Sequence, residues 1–331
     1  MNFDLDQDQR DAAAGAREFF TEQASPGAAR QALDGAGPVR PGRKALADIG
    51  FLGITVPESA GGGGGSLLDL AVVAEQGGAV LAGPSLVTAA RAGVLLADQP
   101  ELAGQLADGS AAFAVVDGSP DGSAPSIDAA DATAFLALDG SSLVVGEGEA
   151  TPGNPIDATR GLANVRLTSR RVLVEDAGEL WARARLAGAV VLAAEDLGAA
   201  DRAVALGVAY AKEREAFGRP IGSYQSVKHM LVDAWAGVEQ LRSLVWWAAW
   251  AADAAPGEFP LAAAAAKATA ATVLERAAET LIQVHGGIGF TWEHDAHLYW
   301  RRAKVDRFLL GDEAEHLDAV ARLAAAGALD R

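Results

Sequence analysis

The sequence predicts an α+β protein that is mostly α-helical, with an N-terminal helical domain, a small, reduced middle β domain and a C-terminal four-helix bundle. Residues 1–110 and 179–331 carry apolar residues at helical spacing, whereas residues 111–178 carry short apolar runs separated by Gly, Pro, Ser and Asp. The helical runs after residue 179 are long, which is typical of antiparallel bundles. We therefore expect three domains with these boundaries.

The N-terminal domain is predicted from helix-start residues and apolar periodicity. Its expected helices are 4–24, 44–50, one that begins after Ser66 and one at 85–98. Ser66 is a good N-cap because its hydroxyl can accept a backbone hydrogen bond. The segment 25–42 is expected to be a Pro/Gly-rich connector, and the glycine run 61–65 is expected to be flexible.

The middle and C-terminal domains follow from the same reasoning. The expected strands are 112–116, 134–138, 142–145, 163–167 and 171–174. The expected bundle helices are approximately 181–215, 224–254, 260–285, 295–308 and 313–325. Such long helices with short connections favour antiparallel packing around one core.

The composition excludes several classes of function. The formal net charge is −17, from 27 basic and 44 acidic residues, which disfavours binding to nucleic acid or to anionic membranes, since both require basic residues. The chain has no cysteine, so it has no disulfide, thiolate nucleophile or Cys-ligated metal. Neither a signal peptide nor an apolar run of membrane-spanning length is present. We expect a soluble, cytoplasmic protein.

The segment 214–225, Arg-Glu-Ala-Phe-Gly-Arg-Pro-Ile-Gly-Ser-Tyr-Gln, has features beyond those of a helix connector. Arg214 is suited to bidentate contact with phosphate oxygens, and Phe217 offers a flat ring. Gly218 permits a ligand to approach the backbone, and the Gln225 amide can donate and accept hydrogen bonds. An ordinary helix–loop–helix connector remains the alternative interpretation.

A second segment, 283–290, reads Gln-Val-His-Gly-Gly-Ile-Gly-Phe and ends the third bundle helix. Adjacent glycines at a helix C-terminus permit left-handed backbone and close ligand contact. Taken alone, the segment is also consistent with a simple glycine cap. It is not a dinucleotide-binding fingerprint, because it follows a helix instead of linking a strand to a helix.

Together, the two segments resemble the FAD-binding signature of the acyl-CoA dehydrogenase family. The segments 299–304, Tyr-Trp-Arg-Arg-Ala-Lys, and 50–58, Gly-Phe-Leu-Gly-Ile-Thr-Val-Pro-Glu, are also similar to family motifs. The resemblance implies a helix–β–helix fold, an FAD cofactor, α,β-dehydrogenation of an acyl-CoA and an electron acceptor such as electron-transfer flavoprotein. It also implies that the residues of both segments hold the adenosine and pyrophosphate end of FAD across a subunit interface. The implied residues are Arg214 for the pyrophosphate, and Phe217, Gly218, Gln225, Gln283, Gly286 and Gly287 for the adenine half.

The family's catalytic base is missing from both of its usual positions. In most members the base is a glutamate six residues after the Ala-Lys pair, where this chain has Leu310; in a minority it lies near the start of the first bundle helix, where this chain has Gly188. Neither residue can remove a proton. Substitute bases within the chain are Glu195, Asp312 and Glu313, and Glu195 is expected to pair with Arg202 or to face solvent.

The flavin-ring signature of the β domain is also replaced, by the turn-rich segment 118–125. The segments 311–316, Gly-Asp-x-x-x-His, and 290–294, Phe-Thr-Trp-Glu-His, resemble the accessory subunits of heteromeric actinobacterial steroid-type enzymes. That resemblance implies a paralogous subunit that supplies the ring pocket and the glutamate. A self-contained homo-oligomer with a displaced base is one alternative. A scaffold subunit without FAD is another.

A metal site is not expected. His294 and His297 are three residues apart, whereas the common zinc motif has its histidines four apart with a glutamate between them. Structural histidines at the end of the bundle are the favoured interpretation.

Overall fold

The computed structural model describes residues 4–35, 39–83, 85–120, 122 and 124–329. The fold class is confirmed, since helical regions flank a small β region. The N-terminal helices are α1 (Gln7–Gln23), α2 (Pro26–Leu33), α3 (Arg43–Asp48), α4 (Leu67–Ala79), α5 (Leu86–Leu95) and α6 (Pro100–Ala107). The C-terminal helices are α7 (Gly178–Glu213), α8 (Gln225–Ala254), α9 (Phe259–His285), α10 (Ala296–Asp306) and α11 (Glu313–Leu329).

The starts of α1, α2, α4 and α5 follow local capping chemistry. Ser66 caps α4 as predicted, and Asp69 completes the capping box by accepting from the Ser66 backbone. The connector prediction for 25–42 is wrong in part, because Ser25 caps α2 and Pro26 occupies its first turn. Helix α6, which also begins with a proline, was not predicted.

The glycine run at 61–65 is not a flexible loop among the described residues. The backbone N–H groups of Gly63, Gly64 and Gly65 donate to the carbonyls of Gly53, Val56 and Ile54 at 2.7–2.8 Å. A methyl group on Gly62 would lie only 2.2 Å from the Val56 carbonyl oxygen. The glycines therefore permit close backbone packing, and the expectation of flexibility is corrected.

The β region forms two small sheets. The strands are β1 (Phe113–Val115), β2 (Pro125–Ser126), β3 (Ala134–Asp139), β4 (Ser142–Gly146), β5 (Gly148–Pro152), β6 (Ala163–Leu167) and β7 (Arg171–Val174). One sheet has the order β1-β3-β4-β7 and the other β2-β6-β5. Among the strands that the structure describes in these sheets, β1 and β3 pair in parallel and the other pairs are antiparallel. A cluster that includes Phe135, Val144 and Val165 joins the two sheets. Strands β2 and β5 were not predicted, because β2 has two residues and β5 has no apolar alternation.

One large core runs from the N-terminal helices into the bundle. Helix α4 packs along α7, and α7 packs against α8 and α9. The core residues include many alanines, among them Ala193, Ala200, Ala263 and Ala270. These small side chains allow the helix axes to approach closely. Within the described ranges, no helix is long and apolar enough to cross a membrane.

A buried ionic network joins the β region to the bundle. Arg160, in the 3-10 turn Ala158–Arg160, pairs with Glu195 of α7 and with Asp306 of α10. Arg302 of α10 donates to Asp157 at 2.6 Å. The expectation for Glu195 is corrected: it neither pairs with Arg202 nor faces solvent, because it is buried against Arg160 and accepts hydrogen bonds from the Ser85 hydroxyl and the Leu86 N–H.

Asp196 lies beside this network and gives the fold a pH dependence. Burial raises the pKa of Asp196 well above its usual range, and the neighbouring Asp306 carboxylate raises it further. The folded state thus holds a proton that the unfolded chain releases above about pH 4. The stability that this proton contributes is fully present below about pH 4 and is lost as the pH rises through the folded pKa.

Asp196→Asn is expected to remove this pH dependence, because asparagine is a neutral isostere of the protonated acid. The stability of the variant relative to the parent should increase with pH, by up to about 1.4 kcal/mol per pH unit. Urea unfolding at pH 5 and pH 8 measures the change. A difference between variant and parent that is the same at both values would contradict the proposed protonation.

Candidate functional site

The segment 214–225 forms a small hairpin between α7 and α8. Arg214 ends α7 in an extended conformation, and strands β8 (Glu215–Ala216) and β9 (Arg219–Pro220) pair antiparallel. The Ile221 N–H donates to the Arg214 carbonyl at 2.7 Å, and the Tyr224 hydroxyl donates to the Ala216 carbonyl at 2.9 Å. These bonds fix the base of the hairpin and leave its tip exposed.

Phe217 occupies the tip in a conformation that its side chain disfavours. Its φ is 53° and that of Gly218 is 79°, the pattern of a two-residue turn in which Asn-Gly is preferred. The Phe217 side chain is nevertheless 97% exposed. A bulky residue with positive φ and no packing role indicates a function that needs the ring outside the protein.

The second loop begins where α9 ends at His285. Gly286 has φ 63° and ψ −143°, a region open essentially to glycine alone. The chain then forms the 3-10 turn Gly286–Phe290, and a methyl group on Gly289 would lie 2.9 Å from His285 Cβ. The loop is thus folded back on α9, with Gly286 and Gly287 exposed.

The structure brings these two loops together. A small cluster of Ala211, Leu231 and Val284 packs against Ile221 of the hairpin and Tyr210 of α7. The His285 ring stacks on the Tyr210 ring with 4.0 Å between centroids, and the Tyr210 carbonyl accepts the Arg214 N–H at 2.8 Å. One apolar cluster therefore supports both segments, although about sixty residues separate them.

The groups that face outward suit a ligand with phosphate and aromatic parts. Arg214, Gln225 and Gln283 are exposed, and Arg214 makes no ion pair with the described residues. The Gln225 amide lies 3.4 Å from the His229 ring nitrogen. A guanidinium, two amides, a flat ring and exposed glycine backbone match the chemistry of a dinucleotide.

Gly188 and Leu310, which the family resemblance places at the two usual positions of the base, also come together. A methyl group on Gly188 of α7 would lie 3.1 Å from Leu310 Cδ1 and 2.7 Å from Arg91 Cγ. Leu310 is 6% exposed. The atoms nearest to this spot belong to Leu310 and to Arg91, a residue that was not predicted from the sequence. The sequence does contain a sign that Arg91 has a specific partner, because it is the only charged residue in the apolar segment 86–95.

The substitute carboxylates have structural contacts. Glu195 is held in the buried pair with Arg160. Asp312 is exposed and caps α11 by accepting the Glu315 N–H at 2.9 Å, and Glu313 begins that helix. Among the described residues, no group of three or more His, Asp or Glu is placed to hold a metal ion. His297 instead stacks on Trp292, with 5.0 Å between centroids.

Sequence comparison assigns the chain to a family. The profile "Acyl-CoA dehydrogenase, N-terminal domain" matches residues 6–100, and "Acyl-CoA dehydrogenase, C-terminal domain" matches residues 178–325. The acyl-CoA dehydrogenase IpdE2 of Mycobacterium tuberculosis is 38% identical over 273 residues, which are 81% of each chain. The chain belongs to the acyl-CoA dehydrogenase family. The resemblance carried by the sequence motifs is confirmed.

Solved structures agree with this assignment. The ChsE4–ChsE5 complex from Mycobacterium tuberculosis contains a chain of the same fold, with a TM-score of 0.85 and 24% identity over 98% of this chain and 99% of that one. A steroid ACAD, Tcur3481–Tcur3483, matches with a TM-score of 0.82 and 27% identity over 98% and 99%. These structures confirm the fold class. The family profiles and the IpdE2 relative confirm the predicted membership in a family of acyl-CoA oxidoreductases.

Proposed function

We propose that this chain is the FAD-sharing subunit of a heteromeric acyl-CoA dehydrogenase. It would hold the adenosine and pyrophosphate end of FAD, while a paralogous subunit supplies the flavin-ring pocket and the catalytic glutamate. The observation that carries this proposal is an asymmetry. The two loops at 214–225 and 283–290 present a complete set of outward-facing binding groups, whereas Gly188 and Leu310 offer no base.

Each outward-facing residue has a role in this proposal. The Arg214 guanidinium would bind the pyrophosphate oxygens, and the Phe217 ring would stack on the adenine. The amides of Gln225 and Gln283 would hydrogen-bond the adenosine half, and Gly218, Gly286 and Gly287 would allow it to approach the backbone. Bound FAD would supply the hydride acceptor for oxidation of the acyl Cα–Cβ bond.

The relatives support a heteromer and suggest a substrate class. Two of the matching structures carry paired names, ChsE4–ChsE5 and Tcur3481–Tcur3483, and the second is called a steroid ACAD. We therefore propose a steroid-derived acyl-CoA thioester as the substrate class. A flavin of this family needs an electron acceptor, and an electron-transfer flavoprotein is the partner that we propose for that step.

Flavin counting tests the proposal. The chain is purified alone and after co-expression with its paralogue, and FAD is quantified by its absorbance after release. We expect no retained FAD in the lone chain and one FAD per pair of subunits in the complex. One FAD per chain with turnover by the lone chain would favour the self-contained homo-oligomer, and a complex without flavin would favour the scaffold.

Phe217→Asn should separate FAD binding from folding. Asparagine suits the left-handed position of the turn, so the unfolding midpoint of the free chain should be unchanged or higher. Loss of ring stacking, worth about 1–3 kcal/mol per base, should weaken FAD retention by the complex roughly 5- to 150-fold.

A matched control is Phe308→Asn. Phe308 is also exposed, but it lies outside both loops, so FAD retention should stay at the parent level. Equal losses in the two variants would remove the specific role proposed for Phe217.

A further inference from the structure

The space around Gly188 is filled instead of open. Helices α5 and α7 approach each other there, and the Arg91 stem lies against Gly188, since a methyl group on that glycine would be 2.7 Å from Arg91 Cγ and 2.8 Å from its Cδ. The Leu310 side chain closes the same spot from the segment before α11. Arg91 is only 2% exposed.

The Arg91 guanidinium is held by groups from the β region and from α7. Its Nη1 and Nη2 donate to the two carboxylate oxygens of Asp117 at 2.9 and 2.8 Å, a bidentate geometry. It also lies over the Trp181 ring of α7, 5.5 Å from the centroid. Such contacts fix the side chain in one place.

Asp117 belongs to the β region, shortly after β1. Its N–H donates to the Ser126 hydroxyl of β2 at 2.9 Å, which fixes its position. The ion pair therefore spans from α5 to the β region. Asp117 directly precedes the segment 118–125, which stands in place of the flavin-ring signature. Arg91 lies beside Gly188 and near Leu310, which stand in place of the base.

We propose that the Arg91–Asp117 ion pair closes the catalytic cavity of this chain. This inference rests on the proposed function and deepens it, because it explains why the complex would operate with one active site per pair of subunits. The cavity is not merely deprived of a base. Arg91 occupies it, so a carboxylate introduced at position 310 would lie near the Arg91 side chain. The positive charge would lower the pKa of that carboxylate and make it a weaker base.

The absence of cysteine from the chain allows a direct test. Leu310→Cys introduces a thiol that is unique in this chain, and mass spectrometry of the chain reports its modification by a maleimide. A reference thiol is Leu317→Cys on α11, where the parent side chain is 50% exposed. In the assembled complex, we expect the thiol at position 310 to react at least 100-fold more slowly than the thiol at position 317.

Removal of the Arg91–Asp117 ion pair should expose the thiol at position 310. Adding Arg91→Ala to Leu310→Cys should raise the modification rate at least tenfold, while the reference rate with Arg91→Ala stays the same. Asp117→Asn keeps the side-chain volume but removes the charge, so it should also raise the modification rate at position 310. It replaces Arg91→Ala in this test if that variant does not fold. A thiol at position 310 that reacts as fast as the reference in otherwise parental protein overturns the closure, as does a rate unaffected by the opening variants.

This experiment is separable from the test of function. A complex with one FAD per pair and a rapidly modified thiol at position 310 would retain the proposed function and refute the closure. A protected thiol in a complex without FAD would retain the closure and refute the shared-flavin role.

Discussion

Arg160→Met is expected to lower the free energy of unfolding by about 3–5 kcal/mol. Arg160 is fully buried and is the cation for two buried carboxylates, Glu195 and Asp306. Its Nε also donates to Asp306 Oδ1 at 2.8 Å. Methionine fills much of the volume but leaves Glu195 without its counter-ion and leaves Asp306 with the longer contact to Arg302, at 3.9 Å. An uncompensated buried charge is costly.

Urea unfolding followed by circular dichroism measures this loss. The matched control is Arg166→Met, because Arg166 also pairs with a glutamate, Glu149, but the two side chains are 58% and 67% exposed. An exposed pair of this kind contributes about 0–1 kcal/mol. Similar losses of unfolding free energy in both variants would show that burial does not determine how much the Arg160 ion pairs stabilise the fold.

Arg214→Ala is expected to weaken FAD binding by the assembled complex by roughly 10- to 150-fold. Hydrogen bonds to a charged group contribute about 1.5–3 kcal/mol, and every 1.4 kcal/mol is a factor of ten in affinity. The stability of the free chain should be unchanged, because the Arg214 side chain is exposed and makes no ion pair with the described part of the chain. Equilibrium dialysis of the complex against FAD provides the affinity.

Arg276→Ala is the control for this variant. Arg276 lies exposed on α9 and pairs with Asp233 of α8 across an exposed surface, so its loss removes the same charge away from both loops. FAD affinity should remain at the parent value. A tenfold loss in this control would mean that net charge, and not the position of Arg214, governs binding.

Local signals allowed most of the elements to be predicted from the sequence. Ser66 and Asp69 mark the start of α4 through bonds within four residues, and apolar periodicity predicts α7, α8 and α9. The same signals failed for α2, α6, β2 and β5. Two of these elements begin after a proline, which also marks connectors, and the two strands are short or lack alternation.

The candidate FAD-binding half-site came from the resemblance of 214–225 and 283–290 to the family signature. The family itself is confirmed, and the roles of the individual residues stay a prediction. The partner of Glu195 was predicted wrongly, because its true partner, Arg160, is 35 residues away, in the β region. Arg91 was overlooked because its role depends on Asp117, Trp181 and Gly188, none of which is its neighbour in sequence.

The sequence by itself determined the helical periodicity, the Ser66 cap, the family motifs and the absence of an acidic side chain at positions 188 and 310, since each of these depends on residue type and short-range spacing. Only the tertiary structure decided that the two motif segments pack on one shared cluster, which includes Tyr210, and that the Tyr210 ring stacks on the His285 ring. Only the structure placed Arg91 beside Gly188 and Leu310. The physical reason is that burial and ion pairing depend on which distant segments the common core brings into contact, and that information is not contained in any single stretch of chain.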